Sequence, residues 1–189
     1  IAYKRYKIVM KEQYYYVISS LPSLSLKEEL PIRKNNFLSV CKENLKTTDF
    51  EMLRSIDLFE ADQDKAPLDI VRHFFSWERE VRNALVKLRA ERLGLDSVDF
   101  IRGGMSDHLT GHIAEEAFNA DSPLMAENIL NKARWKYLDE LEFGHYFDIE
   151  ILVIFFIKLQ ILERISSFDA DQGRERLNAI VSQGAPDTD

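Results

Sequence analysis

The stretch that most constrains the fold is residues 147–165, FDIEILVIFFIKLQILERI. On a helical wheel its apolar residues fall on two opposite sides, with Leu152, Phe155, Leu159 and Leu162 on one side and Val153, Ile157 and Ile161 on the other. A helix that is apolar nearly all round must be covered on more than one face. Only Glu150, Gln160 and Arg164 share a polar sector, which must face solvent or a polar neighbour. The stretch therefore predicts the central helix of an all-α core, over about 146–167.

A second long helix is predicted over about 67–93. Pro67 suits a first helical turn, and Gly94 stands where a left-handed C-terminal cap is expected. Between them an apolar residue recurs every three or four positions, at Ile70, Phe74, Trp77, Val81, Leu85 and Leu88. This helix and the central one make the fold an irregular helical bundle.

Shorter helices fill the remaining chain. Asp121-Ser122-Pro123 is a strong start signal for a helix to about Phe143, and Gly144 then breaks it, so that it forms an antiparallel hairpin with the central helix. Further helices are predicted over 106–118 and from Asp169 or Asp171 to Val181. Two more are expected near the N-terminus, capped by Asn35 or Asn36 and by Thr47-Thr48-Asp49.

Residues 14–22, YYYVISSLP, are aromatic and β-branched and precede a proline, so they predict an extended segment laid over the helical core. The predicted organisation is a flexible basic extension (1–12), one all-helical domain (13–182) with a candidate subdivision near 95–106, and a disordered tail (183–189).

Charge and composition exclude several classes of protein. The chain of 189 residues has a net charge of −7, and the four cations Lys4, Arg5, Lys7 and Lys11 all precede Glu12, which leaves −11 on residues 12–189. Such a body is unsuited to binding nucleic acid. The longest apolar run, 151–157, is far shorter than the roughly 18–20 residues of a membrane span. The single cysteine, Cys41, fits a reducing compartment and is expected to pack in a helix.

The densest polar pattern lies on the second long helix. Glu78 and Arg82 have the spacing of a helical ion pair, and Arg92 falls on the apolar face. Two interpretations are open: a structural ion network that reaches the central hairpin, or a charged docking surface for a partner protein. The residues concerned are Trp77, Glu78, Arg82, Asn83, Arg89 and Arg92, with Glu142, Asp148 or Glu163 as the acidic partners on the hairpin.

A metal site is the alternative. His108, His112 and Glu115 have spacings that a helix brings to one face, and His145 follows Glu142 by three residues. A dinuclear bundle site needs two such Glu-x-x-His pairs, and only this one is present, interrupted by Gly144. No nucleophile elbow, phosphate-binding glycine loop or dinucleotide fingerprint occurs, so neither catalysis nor a cofactor is predicted.

Three segments together resemble an uncharacterised bacterial family that is encoded beside V-type (V/A-type) ATPase subunits. They are residues 14–26 (YYYVISSLPSLSL), residues 77–90 (WEREVRNALVKLRA), and residues 145–152 with 158–164 (HYFDIEIL and KLQILER). The family in turn resembles a compact form of the helical C subunit, called d in eukaryotes, which caps the membrane rotor ring and receives the central stalk. This chain is much shorter than that subunit.

The resemblance implies a non-catalytic peripheral subunit that couples the central stalk to the rotor ring during ATP-driven or ATP-synthesising ion transport. Its partners would be those ATPase subunits, and it would be cytoplasmic, attached to the membrane only through the complex. A free-standing adaptor that binds an unrelated protein and a metal-dependent helical-bundle enzyme are the alternatives.

Overall fold

A computed structural model describes residues 14–58, 66–103 and 108–168. Within these ranges the chain is all-α, as predicted, and contains no strand. Its helices are α1 (Tyr15–Ser20), α2 (Lys34–Asn44), α3 (Thr47–Arg54), α4 (Asp69–Leu93), α5 (His108–Phe118), α6 (Pro123–Glu142) and α7 (Ile149–Ser166), with a 3-10 turn at Val98–Phe100. None of the described helices combines the length and the apolar character that crossing a bilayer requires.

Helix α7 lies at the centre of the bundle, as its sequence predicts. Residues from both sides of its wheel, such as Leu159 and Ile157, are buried, because α2, α3 and α6 all pack against it. The ring of Phe37 in α2 lies 5.1 Å from that of Phe155 and 5.6 Å from that of Phe156. Burial on several faces explains why this helix tolerates so few polar residues.

The polar sector of α7 meets a polar neighbour at Gln160. Its amide nitrogen donates to the carbonyl of Ile56 at 3.1 Å, and its amide oxygen accepts from the backbone N–H of Leu58 at 3.0 Å. These backbone groups belong to the segment that follows α3, where no helical partner is available to them. The buried glutamine therefore secures that segment to the central helix.

Helix α4 packs against α5 and α6. It ends as predicted, because Gly94 adopts a left-handed conformation with φ of 67° and its N–H returns to the carbonyls of the last turn. It begins at Asp69 and not at Pro67, because Leu68 is extended and occupies the capping position. Toward its middle the indole of Trp77 stacks on Tyr137 of α6, with ring centroids 4.7 Å apart.

The α6–α7 hairpin forms at the predicted signals. The hydroxyl of Ser122 accepts from the N–H of Met125 and caps α6, with Pro123 at its first position. Gly144 has φ of 90° in the turn, and Asp148 then caps α7 by accepting from the N–H of Ile151. Each helix of the hairpin thus has a polar side chain that fixes its start.

The predicted extended segment 14–22 is wrong over most of its length, since residues 15–20 form α1. Tyr14 and Val17, one helical turn apart, are both buried, and the N–H of Tyr14 donates to the carbonyl of Phe147 at 2.7 Å. Anchoring at these two points favours a helical turn and overrides the local β preference. The chain becomes extended only at Leu21, directly before Pro22.

The predicted caps of α2 and α3 are also wrong. Arg33 and Lys46 occupy the capping positions, without a side-chain cap hydrogen bond, and both have extended backbones. Helix α2 is capped from another helix, because the carboxylate of Glu163 accepts from the N–H of Lys34 at 2.6 Å. Sequence neighbours cannot reveal a cap that lies 129 residues away.

Several predictions concern residues outside the described ranges. They are the basic extension 1–12, the last helix from 169 or 171 to 181 and the tail 183–189. The single-domain assignment stays a prediction. Within the candidate subdivision 95–106, the structure describes residues 95–103, and these contact α4 through Asn83. The side chain of Asn83 donates to the carbonyls of Arg102 and Gly103 and accepts from the N–H of Arg102.

Candidate protein-interaction site

A buried ion network connects α4 to the hairpin. The guanidinium of Arg134 in α6 donates to both carboxylate oxygens of Glu78 in α4, at 3.0 and 2.9 Å. Only 2% of Glu78 and 6% of Arg134 are exposed. Arg82, itself half-buried, forms the predicted i, i+4 pair with the same carboxylate at 2.9 Å. Two-point contacts of this kind fix the relative orientation of the two helices.

The network continues into α7. Arg134 also donates to Glu127 at 2.8 Å and to the side-chain oxygen of Asn131 at 2.7 Å. Glu127 in turn lies 3.3 Å from the guanidinium of Arg164 in α7. Burial alone would lower the pKa of Arg134, but the charges and hydrogen bonds of Glu78 and Glu127 outweigh it, so the pKa is raised. Arg134 therefore stays charged between α4 and α6, and Glu127 extends the network to α7.

The hairpin partners predicted for this network are wrong. Glu142 pairs with Lys158 at 2.6 Å, Asp148 caps α7, and Glu163 caps α2. The actual partners, Glu127 and Arg134, were missed. A signal was present in the sequence, since Arg134 lies four residues from both Leu130 and Leu138 and so falls within the apolar face of α6.

Arg89 and Arg92 are placed apart from this network. Arg92 was predicted on the apolar face, but both arginines are exposed. They line a groove of about 460 Å³ at the junction of α4, α5 and α6, which we call the arginine groove. Its lining consists of Arg89, Arg92, Leu93, Ala117, Phe118, Ala120, Asp121, Ser122, Pro123 and Ala126. The two arginines are thus available to a partner at this end of the bundle.

At the other end of α6, aromatic side chains are exposed around the turn into α7. Phe143 is 89% exposed and Tyr146 71%, and the ring of Phe147 lies 4.4 Å from that of Tyr15 in α1. We call the rings of Tyr15, Phe143, Tyr146 and Phe147 the aromatic tip. Grouped exposed rings of this kind are typical of protein-protein interfaces.

Carboxylates flank the aromatic tip. Asp139 and Glu142, on the last turn of α6, both contact the ammonium of Lys158, at 2.7 and 2.6 Å, yet remain about half exposed. Lys158 is itself buried and lies over the ring of Trp135, with its nitrogen 5.5 Å from the ring centroid. This end of the bundle therefore combines rings with negative charge.

Two of the residues predicted as alternative metal ligands are described on α5, and His145 lies in the turn before α7. His112 and Glu115 are exposed on α5, and the side chain of His108 lies outside the described residues. In the described part of the chain, one group of three potential ligands has its ligand atoms within 4.8 Å of one another: His145, Asp148 and Glu150. Of these, Asp148 already accepts from the backbone of α7 and contacts Nδ1 of His145 at 2.7 Å.

Comparison with known proteins identifies one similarity. A family model described as "Protein of unknown function (DUF2764)" matches residues 113–184, which include the second half of α5 and all of α6 and α7. The match covers less than half of the chain. No curated protein and no solved structure matches.

Proposed function

We propose that this chain is a non-catalytic peripheral subunit of a bacterial V-type ATPase, which couples the central stalk to the membrane rotor ring. The observation that supports it best is the combination of a helical bundle braced by buried ion pairs with exposed surfaces at both ends of α6. A coupling subunit performs no chemistry. It must hold two partners in a fixed relative orientation while torque passes between them.

Stiffness is the first requirement of this role. Arg134 of α6 joins α4 through the buried carboxylate of Glu78, and Glu127 of α6 contacts Arg164 of α7. Sliding of α4 along α6 would therefore separate buried charges. Separating a buried ion pair costs about 3–5 kcal/mol, which makes such sliding rare. The bracing of the bundle therefore suits an element that transmits force.

Two binding surfaces are the second requirement. Helix α6 has 20 residues, which corresponds to a length of about 30 Å. The arginine groove lies at its first turn and the aromatic tip at its last. The two surfaces also differ in charge, since arginines line the groove and carboxylates flank the tip. Different partners, such as a stalk subunit and the rotor ring, can then bind opposite ends in a defined polarity.

The resemblance to proteins encoded beside V-type ATPase subunits agrees with this arrangement. One of its segments, 77–90, contains Glu78 and Arg89, and another, 145–152, contains two rings of the aromatic tip. The chain would then reach the membrane only through its complex. A free-standing adaptor would use the same surfaces on an unrelated protein.

Co-expression tests the proposal. The tagged chain is produced together with the stalk and ring subunits of the V-type ATPase of its own source, and co-elution is measured after affinity and size-exclusion chromatography. We expect stoichiometric co-elution that Phe143→Ser with Tyr146→Ser abolishes and Lys136→Ser, at an exposed site on α6, leaves intact. A chain that elutes alone in every combination would refute the proposal.

A further inference from the structure

The lining of the arginine groove contains a large apolar side chain that is exposed to solvent. This residue, Leu93, is 71% exposed. A protein segment that packs along the groove would remove Leu93 from water.

The walls of the groove suit a helix. Two of the lining residues, Ala120 and Ala126, are partly exposed alanines, whose short side chains let another backbone approach closely. Phe118 supplies a larger apolar surface between them, and the guanidinium of Arg92 lies 5.6 Å from the centre of its ring. An amphipathic helix inserts its apolar face into grooves of this kind.

The charge of the groove determines the polar face of that helix. The lining contains two cations, Arg89 and Arg92, and one carboxylate, Asp121. Neither arginine forms an ion pair with any residue in 14–58, 66–103 or 108–168. The positive end of the α6 dipole also points toward the groove. This is a basic site on a chain whose net charge is −7, so it selects against basic segments.

We propose that the arginine groove binds an amphipathic helix of a partner protein whose polar face carries carboxylates, with Arg89 and Arg92 as the residues that select the charge. This inference rests on the proposed function for the identity of the partner as another subunit of the complex. The charge selectivity itself is a property of the purified chain. It is therefore testable when no ATPase subunit is present.

Two designed peptides test the selectivity. Both are helical, about 18 residues or five turns long, and carry the same leucine face, but one has a polar face of glutamates and the other of lysines. Binding to the full chain is measured by fluorescence anisotropy at about 0.15 M salt, where the field of the net charge of −7 is screened beyond about 8 Å. We expect the acidic peptide to bind on the order of tenfold more tightly, as two exposed ion pairs of ordinary strength imply.

Charge reversal supplies the decisive control. Arg89→Glu with Arg92→Glu should invert the preference, whereas Lys132→Glu with Lys136→Glu, the same charge change on an exposed face of α6, should leave the acidic peptide preferred. Equal binding of both peptides, or a preference that the arginine variant leaves unchanged, would overturn the proposal. Selectivity without co-elution of ATPase subunits would instead refute only the proposed function.

Labelling of a cysteine at the groove tests whether a second copy or another part of this chain already covers it. Leu93→Cys introduces a thiol at the groove, while the native Cys41 is buried. If the groove is open in the free protein, a maleimide labels residue 93 about as fast as an unfolded control, and the acidic peptide slows the labelling. Slow labelling in the free chain would show that a second copy or another part of this chain covers the groove, and would overturn the proposal. A dimer in light scattering identifies the second copy.

Discussion

Replacement of Arg134 by methionine measures how strongly the ion network braces the bundle. Methionine keeps most of the buried volume of arginine but removes the two hydrogen bonds that Arg134 donates to Glu78, which is 2% exposed. An uncompensated buried carboxylate costs about 3–5 kcal/mol. Because Arg82 still pairs with Glu78 and its side chain is 42% exposed, we expect the lower end, about 3 kcal/mol. That is a large part of the roughly 5–15 kcal/mol that stabilises a typical domain.

Urea unfolding followed by circular dichroism provides the assay. With a slope of about 2 kcal/mol per molar urea, Arg134→Met should lower the midpoint by roughly 1.5 M. The control is Arg82→Met, which removes the more exposed partner of the same carboxylate and should cost less than about 1 kcal/mol. In a double-mutant cycle, adding Glu78→Leu to Arg134→Met should recover most of the loss, since no buried charge remains on α4. If Arg134→Met costs no more than Arg82→Met, the reasoning about the network is refuted.

Three further predictions concern single sites. Gln160→Leu should lower the free energy of unfolding by about 1–3 kcal/mol in the same assay, because the buried carbonyl of Ile56 and the N–H of Leu58 lose their side-chain partner. Gln160→Glu should keep the hydrogen bond from Leu58 and lose only the one to Ile56. Burial raises the pKa of Cys41 from 9.0 to about 12. As pH rises from 9 toward 12, the free energy of unfolding should therefore fall more for the unmodified chain than for Cys41→Ala. Ellman's reagent at pH 8 should react with Cys41 only after unfolding. Dialysis against a chelator should leave the melting temperature unchanged; a drop that His145→Ala abolishes would favour the metal-site alternative.

The long helices were predictable because their signals are local. Residues of both sides of α7 are apolar, Gly94 permits a left-handed cap, and Ser122-Pro123 provides both a capping hydroxyl and a fixed φ. These features act within one or two turns of the chain. They determine the approximate ends of each long helix and the position of its apolar face without information from distant parts of the chain.

The misses at α1 and at the cap of α2 depend on contacts between residues far apart in sequence. Residues 15–20 have a β preference, and only the anchoring of Tyr14 to Phe147 and the burial of Val17 reverse it. The cap of α2 comes from Glu163, on the central helix. A helical wheel cannot supply such pairings, because it contains no information about which helix lies opposite.

The candidate site was predictable only in part. Periodicity identified Glu78 and Arg82 as a pair, and the pattern also drew attention to Arg89 and Arg92. Periodicity could not distinguish the buried ion network of Glu78 from the exposed arginines of the groove, because that difference depends on how α6 packs against α4. The aromatic tip was missed because a ring in a turn has no periodic signature, and only the folded chain shows that Phe143 and Tyr146 remain in water.

The most direct test of the coupling role is structural. V-type ATPase is isolated from the membranes of the source cells and imaged by single-particle electron microscopy, with the chain carrying a small tag. We predict one copy in each assembled complex, at the junction of stalk and rotor ring, with the groove and the tip against different subunits. Fully assembled, active complexes that lack the chain would contradict this account.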